Sequence, residues 1–223
     1  MKSKLTFLIL GSVLALVLGG SWAVAQETAT VQLIAIDDAY ISVAHQSTNY
    51  GSSINTYVGD RHTAQFDSTC TSFYQFDMSE VPYNAEIVNA ELWLYKHEKY
   101  GAFQQNLTVD AHLITTPGWN ENTITYNAPP GYSTSASASV TEWFTAPGWV
   151  TWNVTADVAA MRPSQNLIGW KMEMTPAVPY VWLNFYSSEQ VPMPDYRPML
   201  EITYISVVAN EAASWSKVKS LYR

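Results

Sequence analysis

Ile87-Val88-Asn89-Ala90-Glu91-Leu92-Trp93-Leu94-Tyr95-Lys96-His97 is the stretch that decides the fold. Its apolar positions recur every second residue. Ala90, Leu92 and Leu94 fall on one face, with Glu91, Trp93, Tyr95 and His97 on the other, which is the period of a strand buried on one side. Outward from it, strand-like runs recur at Val31–Ile36, Ala39–Ala44, Asn55–Val58, Ser72–Asp77, Leu107–Ile114, Val150–Val154, Leu167–Met174, Tyr180–Tyr186 and Leu200–Val208. Turn signals separate them at Asp37-Asp38, at Asn49-Tyr50-Gly51-Ser52-Ser53 and around Pro82. Ala156–Met161 is one short helical turn, stopped before Pro163. Ser133–Ser139 reads as a small-polar loop. Many short strands with no sustained 3.6-residue period predict an all-β sandwich or barrel.

Composition narrows the function classes. The chain has 223 residues, 11 Lys+Arg against 19 Asp+Glu, a net charge of −8 and one cysteine. Cys70 has no second thiol to pair with, so a disulfide scaffold and a four-thiolate zinc site are excluded. An acidic chain without clustered Lys/Arg does not suit nucleic acid. With 48% hydrophobic and 13% aromatic residues, including nine Trp and 14 Tyr, there is ample material for a core. His45, His62, His97 and His112 show no metalloprotease-like spacing. Nothing in the sequence singles out a catalytic carboxylate pair, and Cys70 suits a buried structural thiol. The chain is therefore read as non-enzymatic.

Residues 1–25 read as a secretory signal peptide. Lys2 and Lys4 precede an apolar run, Leu5 to Val17, and Ala23-Val24-Ala25 forms a small-residue cleavage site. Its removal predicts a secreted or cell-surface protein with no membrane insertion after cleavage. Residues 26–206 read as one β domain. Residues 207–223 form a basic aromatic tail, with Trp215, Lys217, Val218, Lys219, Leu221, Tyr222 and Arg223. The tail is either a frayed end or a segment that docks on a surface or self-assembly partner.

Several stretches resemble one family. Asp38-Ala39-Tyr40-Ile41 with Asn49-Tyr50-Gly51-Ser52-Ser53 is similar to its opening strand and turn. Phe73-Tyr74-Gln75-Phe76-Asp77-Met78-Ser79, Pro82 and Ile87–Tyr95 resemble its central hairpin. Trp119-Asn120-Glu121-Asn122-Thr123-Ile124-Thr125-Tyr126-Asn127, Trp152-Asn153-Val154-Thr155, Phe185-Tyr186-Ser187-Ser188-Glu189 and Arg197-Pro198-Met199-Leu200 follow in the family's order. The family is the DNRLRE domain, also classed as carbohydrate-binding module family 96, and the likeness covers residues 35–205. It implies a jelly-roll-like antiparallel β-sandwich, here with one short helical turn, on secreted or surface proteins, and a polysaccharide partner. Some members are described as alginate binders. The basic residues common in the family at the positions of Thr71, Gln75 and Trp93 are uncharged here, which shifts the expectation away from polyuronates.

The candidate ligand-binding residues follow from this. Trp93, with Tyr95 beside it, can stack on the apolar face of a sugar ring if the indole is exposed. Otherwise it lies under a loop or in the interior. Gln75 and Lys171 would bond hydroxyls if their strands lie next to that of Trp93. Arg61 would likewise bond hydroxyls or carboxylates, and Lys96 and Lys99 are further local cations. Trp119, Trp149 and Trp152 read as packing anchors, and Trp182 and Tyr186 as one face of a late strand. No cofactor is required. Asp37, Asp38 and Asp60 are candidate ligands for a structural calcium ion, or else turn-forming carboxylates. The leading expectation is a non-catalytic carbohydrate-binding module that uses an aromatic and polar face. The alternative is a surface, matrix or filament component using the fold for assembly, in which the edge strand Val31–Ile36 can also take part.

Overall fold

The computed structural model describes residues 9–10, 26–63, 66–101 and 106–207. The expected leader therefore lies outside the described residues except for Ile9–Leu10, and the expected tail except for Val207. The twelve strands of the described residues form one continuous antiparallel sheet that curls over on itself. A two-residue strand β1 (Ile9–Leu10) pairs with β2 (Gln26–Ile34). One layer then runs from β2 through β12 (Met199–Val207) to β6 (Glu86–Tyr100) and β9 (Gly148–Asn153). The other consists of β3 (Asp37–Ser42), β5 (Phe66–Asp77), β10 (Leu167–Met174), β7 (Leu107–Leu113) and β8 (Ala138–Glu142). β11 (Trp182–Tyr186) and β4 (Asn55–Thr63) carry the hydrogen-bond ladder from β6 to β5 and join the layers. The expected sandwich is thus a curled sheet, with its inner side as the core.

The alternation read at Ile87–His97 is the register of β6. Ala90, Leu92 and Leu94 are fully buried, while Trp93, Tyr95 and His97 are half-exposed on the outside. The inner faces meet as one cluster, with Leu183, Phe185, Leu200 and Ile202 opposite Tyr74, Phe76, Val109, Ile168 and Trp170. Trp152 crosses the core, its Nε1–H donating to the Val109 carbonyl at 2.9 Å, and so ties β9 to β7. The helix α1 (Thr155–Met161) buries Val158 and ends before Pro163, as predicted.

β2 and β4 run further than the sequence expectation, from Gln26 and on to Thr63, and two other stretches also differ. β5 begins at Phe66 rather than near Ser72, because its polar first half is drawn into a hairpin with β4. Ala138-Ser139 opens the edge strand β8 rather than closing a loop. Ala138 and Val140 alternate inward and pack against the core, but the strand is only five residues long, and it is held by pairing with β7 and by the Thr108–Thr141 and Asp110–Ser139 side-chain bonds. Cys70 is buried as expected, and desolvation pushes its thiol up to about 12, far from a nucleophile's range.

Candidate functional site

The residues singled out in the sequence do not form one site. Trp93 and Tyr95 lie on the outer face of the β2–β12–β6–β9 layer. Gln75 and Lys171 lie on the outer face of the other layer, because β6 is flanked by β12, β11 and β9 and never meets β5 or β10. The adjacency expected for them is thereby corrected.

The face bearing Trp93 is an aromatic cluster built by cross-strand pairing. Trp149 of β9 meets Trp93 edge-on at 6.1 Å and Tyr95 at 5.4 Å. Tyr186 of β11 lies parallel to Tyr95 at 5.7 Å, and its hydroxyl is 3.0 Å from His97 Nδ1. The short helix η1 (Pro194–Tyr196) then lays Tyr196 on Tyr95 at 4.1 Å. The ring of Tyr95 is therefore already stacked. The indole N–H of Trp93 is buried and has no hydrogen-bond partner among the described residues. Of this cluster, Trp149 is the open member, at 36% exposure.

On the opposite layer, Gln75 is not available to a ligand. It is 1% exposed. Its Nε2 donates to Asp37 Oδ2 and to the Trp119 carbonyl, each at 3.2 Å, and its Oε1 accepts from Gly118 N–H at 2.6 Å. Asp37 Oδ1 in turn accepts from Glu121 N–H, and Asn49 Nδ2 donates to the carbonyls of Glu121 and Ile124. A Cβ on Gly51 would stand 2.1 Å from the Glu121 carbonyl oxygen, so glycine is required for this close approach. Together these groups strap the segment 118–132 across β3 and β5. Beneath it lies a second small core of Ala39, Ile41, Phe73, Ile114 and Ile124, covered by Trp119. Trp119 is thus a packing anchor, as is Trp152.

The strapped segment creates a concavity. Tyr126 and Tyr132 are brought to the edge of a cleft of about 190 Å³ whose floor is Ile41, Val43, Thr69 and Thr71, with Lys171 and Glu173 of β10 beside them. Lys171 is buried. Its Nζ is 2.6 Å from Glu173 Oε2 and 4.1 Å from the Tyr132 ring centre, a charge-assisted bond and a cation–π contact together. The ring of His112, on the neighbouring strand β7, lies with Nε2 3.9 Å from the same Glu173 oxygen. The tyrosines are 38% and 37% exposed. Such a cleft offers flat apolar faces and converging polar groups, the usual make-up of a small-ligand site. Sequence reading found Lys171 but missed its partners. Tyr126 and Tyr132 sit in irregular chain, where no periodicity reports which way a ring faces.

The other cations are spent elsewhere. Arg61 stands 3.9 Å over the Tyr57 ring and 3.4 Å from the Tyr40 hydroxyl, outside the cleft. Lys96 points inward and donates to the Phe144 carbonyl at 2.9 Å, and burial pushes its ammonium below the ordinary lysine value. Lys99 Nζ reaches the Trp143 carbonyl.

The three aspartates are not a calcium set. Asp37 and Asp38 pair with Gln75 and Tyr74 at one part of β5, whereas Asp60 pairs with Thr69 at another. Asp60 Oδ2 instead holds Tyr180 N–H at 2.9 Å. Among the described residues, no group of three or more His, Cys, Asp or Glu side chains is placed to hold a metal ion. Asp38 is a buried latch whose Oδ2 accepts Ser188 N–H at 2.7 Å. Desolvation first, then the nearby Glu189, raises its carboxyl well above 3.8. A raised folded value means that Asp38 contributes stability fully below pH 3.8, and that this is lost as pH rises through the folded value. Thermal melts are therefore expected to show wild type losing Tm relative to Asp38→Asn as pH rises above 3.8. Parallel pH profiles for the two proteins would contradict this.

The architecture is a curled antiparallel β-sandwich with a polar, aromatic cleft on its outer surface. The chain belongs to carbohydrate-binding module family 96, whose family model matches residues 29–204. No curated protein matches the sequence. The protein is therefore a carbohydrate-binding module in general terms, a class that is typically non-catalytic. Among the described residues, no helix is long and apolar enough to cross a membrane.

Proposed function

We propose that the protein is a secreted, non-catalytic module that recognises an extracellular polysaccharide in the cleft between Tyr126, Tyr132 and the Lys171–Glu173 pair. The observation that carries this reading is the cleft itself: two part-exposed rings flank a charge pair whose buried Lys171 is oriented by the part-exposed Glu173. A sugar ring presents C–H groups to an aromatic face and hydroxyls to polar neighbours, and the cleft supplies both. Export rests on the leader-like segment 1–25. Affinity electrophoresis on a polysaccharide panel tests the assignment. Tyr132→Ala is expected to weaken retardation at least roughly tenfold, the scale of losing one buried aromatic contact. Retardation unchanged in Tyr132→Ala but lost in Trp149→Ala would move the site to the other layer.

The aromatic cluster around Trp149 favours a second reading, assembly between copies, since Trp149 and Met193 stay part-exposed at its rim. Sedimentation of wild type beside Trp149→Glu tests it. A self-associating wild type made monomeric by the substitution would support assembly, and a monomer in both would end it.

A further inference from the structure

The charge balance of the cleft selects the class of glycan. We infer that the Lys171–Glu173 pair is a specificity device that admits neutral polysaccharides and rejects polyuronates. The inference rests on the cleft reading proposed above.

Lys171 is the cation that lines this cleft, and it is already committed. Its side chain is 7% exposed, Nζ is 2.6 Å from Glu173 Oε2, and its other approach is filled by the Tyr132 ring. The Glu173 side chain is the more exposed partner, at 38%, so an incoming ligand meets the carboxylate before the ammonium. A further carboxylate, Asp110, stands directly opposite Glu173 in the β10–β7 register. It is 9% exposed and accepts from Ser139 Oγ at 2.5 Å. The cleft and its border thus carry two carboxylates against one buried ammonium.

A uronate carboxylate entering here would face Glu173 at close range. It would also have to displace that group from Lys171, losing a charge-assisted bond to form one. Like charges brought together on a part-desolvated surface are disfavoured, and the protein's net charge of −8 adds to this at longer range. A neutral sugar meets no such barrier. Its hydroxyls can donate to the outer lone pairs of Glu173 and accept from Thr71, while the tyrosines take its C–H face.

Removing the charge of Glu173 leaves one carboxylate, Asp110 at the border, against the Lys171 ammonium. In Glu173→Gln, Lys171 keeps a hydrogen-bond acceptor of the same shape but is no longer neutralised. Thr71→Arg tests the same idea without touching the pair, since Thr71 is half-exposed at the cleft floor. The purified full chain and both variants would be run on neutral polymers (β-glucan, mannan, xylan and starch) and on polyuronates (alginate and polygalacturonate), with folding checked by thermal melts. Expected is wild-type retardation by a neutral polymer and by no polyuronate, with both variants gaining polyuronate affinity at least roughly tenfold. That gain should fade at high salt. If Glu173→Gln does not fold, Thr71→Arg decides. Wild-type retardation by a polyuronate that is lost in Tyr132→Ala would overturn the inference and leave the cleft as the site. So would neutral binding through Tyr132 with no polyuronate gain in the folded variants. Retardation by no polymer of either class would instead overturn the proposed function itself.

Discussion

Replacing Trp152 with alanine is expected to lower the unfolding free energy by about 3–5 kcal/mol, the cost of emptying a buried tryptophan site. Trp152 is 1% exposed and lies against Phe185 at 6.3 Å. Its neighbours belong to both layers, so collapse around the hole would have to move two faces of the sheet at once. The indole N–H also satisfies the Val109 carbonyl across the core. Trp152→Phe separates the two contributions. It keeps most of the apolar volume but leaves that carbonyl without its donor, for an expected loss of about 1–3 kcal/mol. Urea unfolding of the two variants beside wild type is the measurement. No loss in Trp152→Phe would mean that the hydrogen bond contributes nothing beyond volume, and a loss under about 1 kcal/mol in Trp152→Ala would contradict the packing argument.

Gln75→Ala is expected to cost about 2–4 kcal/mol and to abolish glycan binding together. The side chain has no contact with the cleft. It acts by holding Gly118 N–H, the Trp119 carbonyl and Asp37 in place, and so holds the segment that ends in Tyr132. Without it, three polar groups under the strap lose their partner. The rings then lose their seat, and the proposed binding face goes with them. The prediction differs from that for Tyr132→Ala, whose part-exposed ring can go with little change in stability. Affinity electrophoresis and urea unfolding on the same samples check both halves. Full affinity in a destabilised Gln75→Ala would mean that the strap is not what shapes the site.

These two residues also mark how far the chain could be read before its fold was known. Trp152 stood in an alternating run, and alternation is a local property of strands, so its inward face was legible. The same holds for Leu92, Leu94 and the outward turn of Trp93 and Tyr95. Gln75 stood in the run Ser72–Asp77, and its place in a strand was legible. Its use was not, because the Trp119–Asn127 segment that buries it lies far along the chain. Ala138–Glu142 escaped for a different reason: its alternation has only two apolar positions, Ala138 and Val140, too few to stand out from the small-polar run before it.

The sequence by itself determined the class of the fold, the inner face of each strongly alternating strand, and the family, since all of these rest on local periodicity and ordered motifs. It also determined that the chain is acidic and poor in cations. Only the tertiary structure decided which outward-facing residues share a surface. Trp93 and Lys171 were both outward, yet curling of the sheet sends them to opposite sides of the domain. Tyr126 and Tyr132, silent in the sequence, are carried to Lys171 by a strap whose hydrogen bonds span 43 to 84 residues. Strand periodicity fixes the direction of a side chain within two residues. Which strands become neighbours depends on contacts summed over the whole chain, and the binding surface is a property of that sum.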